Sequence, residues 1–158
     1  MKAADDNTRL IAANRKAFHD FFVEDKLEAG IALVGTEVKS AREGRVNLRD
    51  SYAEVREGEV YLVGAHISPY EQGNLANHEP LRPRKLLLHV REIARLQQKI
   101  NERGYTLVPT RMYFRGSRVK VEIALAHGKK QFDKRADLAT RDAQRDVERA
   151  LRHRDDDR

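Results

Sequence analysis

Near its C-terminal end the chain reads GKKQFDKR, from Gly128 to Arg135, where Lys129, Lys130, Lys134 and Arg135 meet a single acid, Asp133. A net charge of +3 over eight residues calls for an anionic partner or for open solvent. Phe132 in its midst offers a ring on which a nucleobase can stack. Basic groups recur at Asn14-Arg15-Lys16, at Lys39, Arg42 and Arg45, and at Arg82, Arg84 and Lys85, and together they could form one anion-binding footprint. Scattered surface charge on a chain with 35% charged residues is the competing reading for any one of them. The six histidines, His19, His66, His78, His89, His127 and His153, show no HExxH, HxH or HxxxH spacing, so no metal site is expected. Glu24, Asp25 and Glu28 cluster without a base or nucleophile spaced around them, as on a solvated strand face. Glu28 stands apart, because a carboxylate on a basic chain can accept from a nucleobase amine. With no GxxxxGK[ST] loop and no GxSxG, neither nucleotide hydrolysis nor esterase chemistry is expected, and no cofactor or small-molecule substrate is called for.

The elements that must position these groups belong to one core. The 158 residues carry 31 Lys+Arg against 25 Asp+Glu, a formal charge of +6, and nucleic acid leads the partner classes on that ground. The absence of cysteine fits a reducing compartment, with the cytoplasm as the default. The first residues lack a secretory apolar region, and no run approaches the roughly 20 apolar residues that a membrane span needs.

Residues 1–13 read as a flexible N-terminal arm. Phe18 to Leu33 mixes aromatic and β-branched residues and suggests a long strand bent at Gly30. Thr36 then N-caps a short helix that Gly44 ends, with Lys39 and Arg42 on its exposed side. Tyr52–Arg56 and Glu59–Val63 form a hairpin around Glu57 and Gly58. The Pro-, Gly- and Asn-rich stretch from Ser68 to Arg84 is long enough to be a functional loop. Leu86, Leu87 and Leu88 read as a short buried strand or helix entry, and the helix that follows places Ile93, Leu96 and Ile100 on one side and stops at Gly104. A second hairpin joins Tyr105–Phe114 to Arg118–Ala126 around Gly116 and Ser117, with Val119, Val121, Ile123 and Leu125 inward and Lys120 and Glu122 outward. Antiparallel strands without a βαβ rhythm predict a mainly β fold with flanking helices, an OB-like barrel over residues 14–127. Residues 128–158 form a basic C-terminal tail.

Beyond Ala136 the tail has strong helix formers and little apolar bulk. At about 100° per residue, Ala136, Ala139, Ala143, Val147, Ala150 and Leu151 share a stripe, with Arg141, Arg145, Arg149 and Arg152 opposite. Like charges on successive turns cost about 0.2 to 0.5 kcal/mol each, so this helix is marginal alone and is expected to form on a polyanion. An exposed, salt-bridged helix without a partner is the alternative.

Five blocks, NRKAFHDFFVEDKLEAGIAL, GTEVKSAREGRVNLRDSYAEV, NHEPLRPRKLLLH, GYTLVPTRMYF and GKKQFDKR, occur in this order between Asn14 and Arg135. Together they resemble the SsrA-binding protein family, also called small protein B. The resemblance implies an OB-type barrel that binds the tRNA-like domain of transfer-messenger RNA. It also implies a tail that occupies the empty mRNA channel of a stalled ribosome beside ribosomal RNA at the decoding centre. Elongation factor Tu would be met through the aminoacylated RNA, and no catalytic step or membrane would be involved. By resemblance the RNA-facing positions include His19, Glu28, Leu87 and His89, and Gly128 opens the tail. Two positions depart from the common pattern. His89 stands where many members have Asn, and Phe132 where a histidine is frequent, which keeps stacking and removes hydrogen bonding. A small RNA-processing enzyme and a general ribosomal structural protein are the alternatives to an adaptor.

Overall fold

The computed structural model describes residues 7–129 and Arg145. The chain divides into two units, Met1–His127 and Gly128–Arg158. Among the described residues, nine strands and three α-helices follow one another as β1 (Thr8–Ala13), α1 (Arg15–Asp20), β2 (Phe21–Ile31), α2 (Gly35–Arg42), β3 (Val46–Asn47), β4 (Tyr52–Arg56), β5 (Glu59–Val63), β6 (His66–Ile67), β7 (Arg84–Leu87), α3 (Val90–Arg103), β8 (Thr106–Arg115) and β9 (Arg118–Gly128). Six strands close into a ring in the order β8, β4, β5, β7, β2, β9 and back to β8. This is the antiparallel barrel with flanking helices that the strand pattern predicts. The short pair β3 and β6 stands apart from it.

Strand alternation fills the ring. Val119, Val121, Ile123 and Leu125 of β9 point inward with Leu107 and Met112 of β8 and Val60 and Leu62 of β5, all buried in one cluster. Both expected hairpins form. Glu57 and Gly58 each take a positive φ, 49° and 78°, which suits the right-handed twist of a tight two-residue turn. Leu96 is the buried anchor of α3, flanked by Ile93 and Ile100, and Gly104 ends the helix at φ 67°.

Three expectations are corrected. Residues 8–13 are no free arm: they form β1, which pairs with β8 from Thr8 opposite Arg115 to Ala13 opposite Arg111 and buries Ile11. β8 has room for this because β4 pairs with it only near Leu107. At the irregularity between Pro109 and Arg111, the buried Asn14 side chain donates to the Pro109 carbonyl at 2.8 Å. The proposed long strand from Phe18 starts instead at Phe21, because Arg15, Lys16 and Ala17 are good helix formers and Ala17 packs with Val108, Ala124 and Ala126. Thr36 does not cap α2. The helix starts at Gly35 with Val34 in the cap position, two residues ahead of Thr36, Glu37 accepts from the Val34 N–H at 2.9 Å, and the Thr36 hydroxyl bonds His78.

The long stretch from Ser68 is fastened rather than loose. The Ser40 hydroxyl donates to the Ser68 carbonyl, Lys39 lies over the Tyr70 ring, and the Asn77 side chain both donates to and accepts from the Tyr70 backbone. The first two contacts bind it to α2, and the Asn77 bonds close the stretch on itself.

Candidate nucleic-acid interface

β7 decides which of its side chains can meet a ligand. Its residues alternate: Arg84 and Leu86 turn into the barrel, and Lys85 and Leu87 turn out. Arg84, expected on the RNA-facing surface, is 0% exposed. Its Nε bonds the buried Glu37 carboxylate, Nη1 donates to the Ala65 carbonyl, and Nη2 donates to the Pro80 carbonyl. Burial draws its pKa down, and Glu37 opposes that. Burial alone would push the Glu37 carboxyl up, but donation from Arg82, the Val34 N–H and Arg84 outweighs it and holds the group below its ordinary value. Arg84 is thus a structural cation, and its assignment to the RNA-binding set is withdrawn.

Outside, Gly30 of β2 stands opposite Leu87. A Cβ at Gly30 would lie 3.1 Å from the Leu87 Cβ, so the glycine makes room for the leucine against the strand. Against the expectation of a buried leucine run, Leu87 remains 52% exposed because strand alternation turns it outward, an apolar platform on a charged surface. It lines a concavity of about 710 Å³ with His89, Glu28, Arg118 and Lys120. His89 is the residue before α3, and its backbone N–H donates to Glu92 at 3.0 Å. Arg118 and Lys120 come from the start of β9, on the outward side that alternation assigns them.

Glu28 is a shared acceptor. Its Oε2 takes hydrogen bonds from the Tyr113 hydroxyl and from Arg115 Nε and Nη2, the latter at 3.1 and 2.7 Å, so the carboxylate ties β2 to β8 over the face of β9. Burial works against its charge, but the bonds from Tyr113 and Arg115, with the nearby Lys120, keep its pKa below the ordinary value. Burial of the Tyr113 phenol, and then its bond to the Glu28 carboxylate, push its pKa up to about 12 against the opposing pull of Arg115. Glu28 is therefore ionised at neutral pH and half committed to neighbours before any ligand arrives.

Of the other expected positions, His19 on α1 bonds Asp20 at 3.0 Å, and Lys85 bonds Glu59 at 2.9 Å. Lys39 and Arg42 lie exposed on α2. None of these four lines the concavity. The structure thus brings together Glu28, Leu87 and His89 and adds Arg118 and Lys120, which the sequence reading left out. The outward position of Lys120 was available from the alternation of β9. Gly128 ends β9. Lys130, Phe132, Asp133, Lys134 and Arg135, with the helix expected beyond them, lie outside the described residues apart from Arg145. Among the described residues no helix is long and apolar enough to cross a membrane.

The profile of the family described as "SmpB protein" matches residues 11–153. An SsrA-binding protein of Symbiobacterium thermophilum is 62% identical over 148 residues, covering 93% of this chain and 94% of its own length. That of Carboxydothermus hydrogenoformans is 61% identical over 146 residues, covering 92% and 98%. A solved chain described as "tmRNA-SmpB: a journey to the center of the bacterial ribosome" superposes with a TM-score of 0.64 at 46% identity, over 78% of this chain and 91% of its own. The chain belongs to the SmpB family of SsrA-binding proteins.

Proposed function

We propose that the chain is an RNA-binding adaptor of trans-translation, acting in the cytoplasm without a catalytic step of its own. Its first unit grips the tRNA-like domain of transfer-messenger RNA. Its tail from Gly128 enters the empty mRNA channel of a stalled ribosome, with Phe132 stacking on ribosomal RNA, and elongation factor Tu is met through the aminoacylated RNA. The observation that carries the reading is the concavity in which an exposed leucine and a histidine adjoin Arg118 and Lys120. Cations there suit phosphates, and Leu87 and His89 suit an unstacked base or ribose. His19, Lys39, Arg42 and Lys85 would then extend the footprint as more distant charges.

Truncation tests the division of labour. Deleting residues 128–158 should leave affinity for transfer-messenger RNA nearly intact and abolish tagging of stalled chains; a large loss of affinity would refute it. Equal affinity for bulk tRNA and transfer-messenger RNA would count for a general ribosomal protein instead. Phe132→Ala should impair tagging while leaving RNA affinity unchanged.

A further inference from the structure

The β8–β9 hairpin has a different neighbour on each flank. β1 pairs along the second half of β8, and β2 lies along β9. Each flank carries a concavity that reaches the turn. Arg118 and Lys120 line the one described above, and Gly116 and Ser117 line a second, of about 340 Å³, with Asn7, Arg9, Arg42 and Phe114. The two differ in charge. Glu28 and Glu92 offset the cations of the first, whereas among the described residues the second has two guanidinium groups and no acid.

Arg9 is held in place before any ligand arrives. Its Nη2 donates to the Arg42 carbonyl oxygen at 2.6 Å, and its guanidinium lies 5.6 Å from the centre of the Phe114 ring. One of the five N–H donors of a guanidinium is spent on that carbonyl, and the planar fork is the shape that suits phosphate. Preorganisation of this kind lowers the entropy lost on binding. The wall of the notch is equally specific. The Gly116 N–H donates to the Asn7 carbonyl at 3.0 Å, Gly116 has φ 63°, and a Cβ there would come within 3.3 Å of the Asn7 side chain. Gly116 and Ser117 also keep the turn between the two concavities low.

We propose that the notch of Arg9 and Arg42 is a second phosphate-binding site, which holds the backbone of the same RNA on the other side of the β8–β9 turn from Arg118 and Lys120. The proposal rests on the RNA-binding reading above. A sugar–phosphate chain crossing the turn would meet Arg9, then the small residues Gly116 and Ser117, then Arg118. RNA fits better than a protein surface, because the notch offers cationic donors and one aromatic ring rather than an apolar floor.

Salt dependence counts phosphate contacts and so separates this role from a structural one. The full chain, Asp5 and Asp6 included, would be titrated with the tRNA-like domain of transfer-messenger RNA at several salt concentrations. Arg9→Gln should weaken binding several-fold and reduce the slope of log affinity against log salt by about 0.7 to 0.9, the value of one phosphate contact. Arg9→Lys should restore the slope, and Arg9→Gln with Arg118→Gln should lose about twice as much. An unchanged slope in Arg9→Gln overturns the proposal even if affinity falls, since looser packing alone removes no phosphate contact. Failure of the unmodified protein to prefer this RNA over bulk tRNA would instead count against the RNA reading itself.

Discussion

Arg84 and Leu87 sit three residues apart on one strand, yet the strand turns the cation into the barrel and the hydrophobe out to solvent. Around Arg84 the charges are closed upon themselves. The guanidinium, Glu37 and the carbonyls of Ala65 and Pro80 satisfy one another and bind α2 and the segment before β7 to the ring. Around Leu87 the groups are open, with a leucine, a histidine and two cations facing one concavity. Residue type predicts the reverse assignment. A buried ion pair desolvates both partners and earns its place through geometry, while an exposed leucine beside cations has apolar area to offer a ligand.

Perturbing the two regions should give opposite readouts. Arg84→Ala leaves the Glu37 carboxylate buried without its partner and should cost about 3–5 kcal/mol in urea unfolding, with RNA affinity of the folded fraction unchanged. A small stability loss would break the contrast. Gly30→Val forces a side chain against Leu87 and should cost about 1–3 kcal/mol while also weakening RNA binding, because it disturbs the platform itself. Tyr113 links stability to alkaline pH. Its folded pKa, pushed up to about 12, lies above the ordinary value of 10.0, so its contribution is present in full below pH 10 and is lost as pH rises through about 12. Tyr113→Phe should remove that alkaline loss in thermal melts. The Glu28 carboxyl works in the other direction: its pKa is depressed, so its contribution is present above the ordinary 4.5 and is lost as pH falls below that. Leu87→Ala should change stability least, within about 0.5 kcal/mol, yet weaken RNA binding measurably; unchanged affinity would remove Leu87 from the interface.

Much of this was legible in period and turn chemistry. The two hairpins followed from alternation and from glycines at Gly58 and Gly116, and α3 from the spacing of Ile93, Leu96 and Ile100. The resemblance supplied Leu87 and His89, and Glu28 stood out both from it and as a carboxylate on a basic chain. What stayed hidden depends on partners far along the chain. β1 is a strand only because β8 has an edge left over, and nothing local to residues 8–13 says so. The burial of Arg84 was readable in principle, since it shares a face with Leu86, but its basic neighbours Arg82 and Lys85 masked the alternation. Tyr113 and Arg115 were missed because their role is to engage Glu28, more than 80 residues away in the chain.

Closure of the ring has a consequence for synthesis. β8 and β9 come last in chain order, and they seal the barrel against strands made much earlier, with Arg115 opposite Thr8 and Leu107 opposite Ala53. Such non-local pairing delays closure until β8 and β9 have been made. A nascent chain that stops before Arg118 leaves β2 and β8 with edges that β9 would have covered, and bare strand edges recruit other chains into aggregates. Half-made copies of this protein are therefore hazardous in a way that finished ones are not.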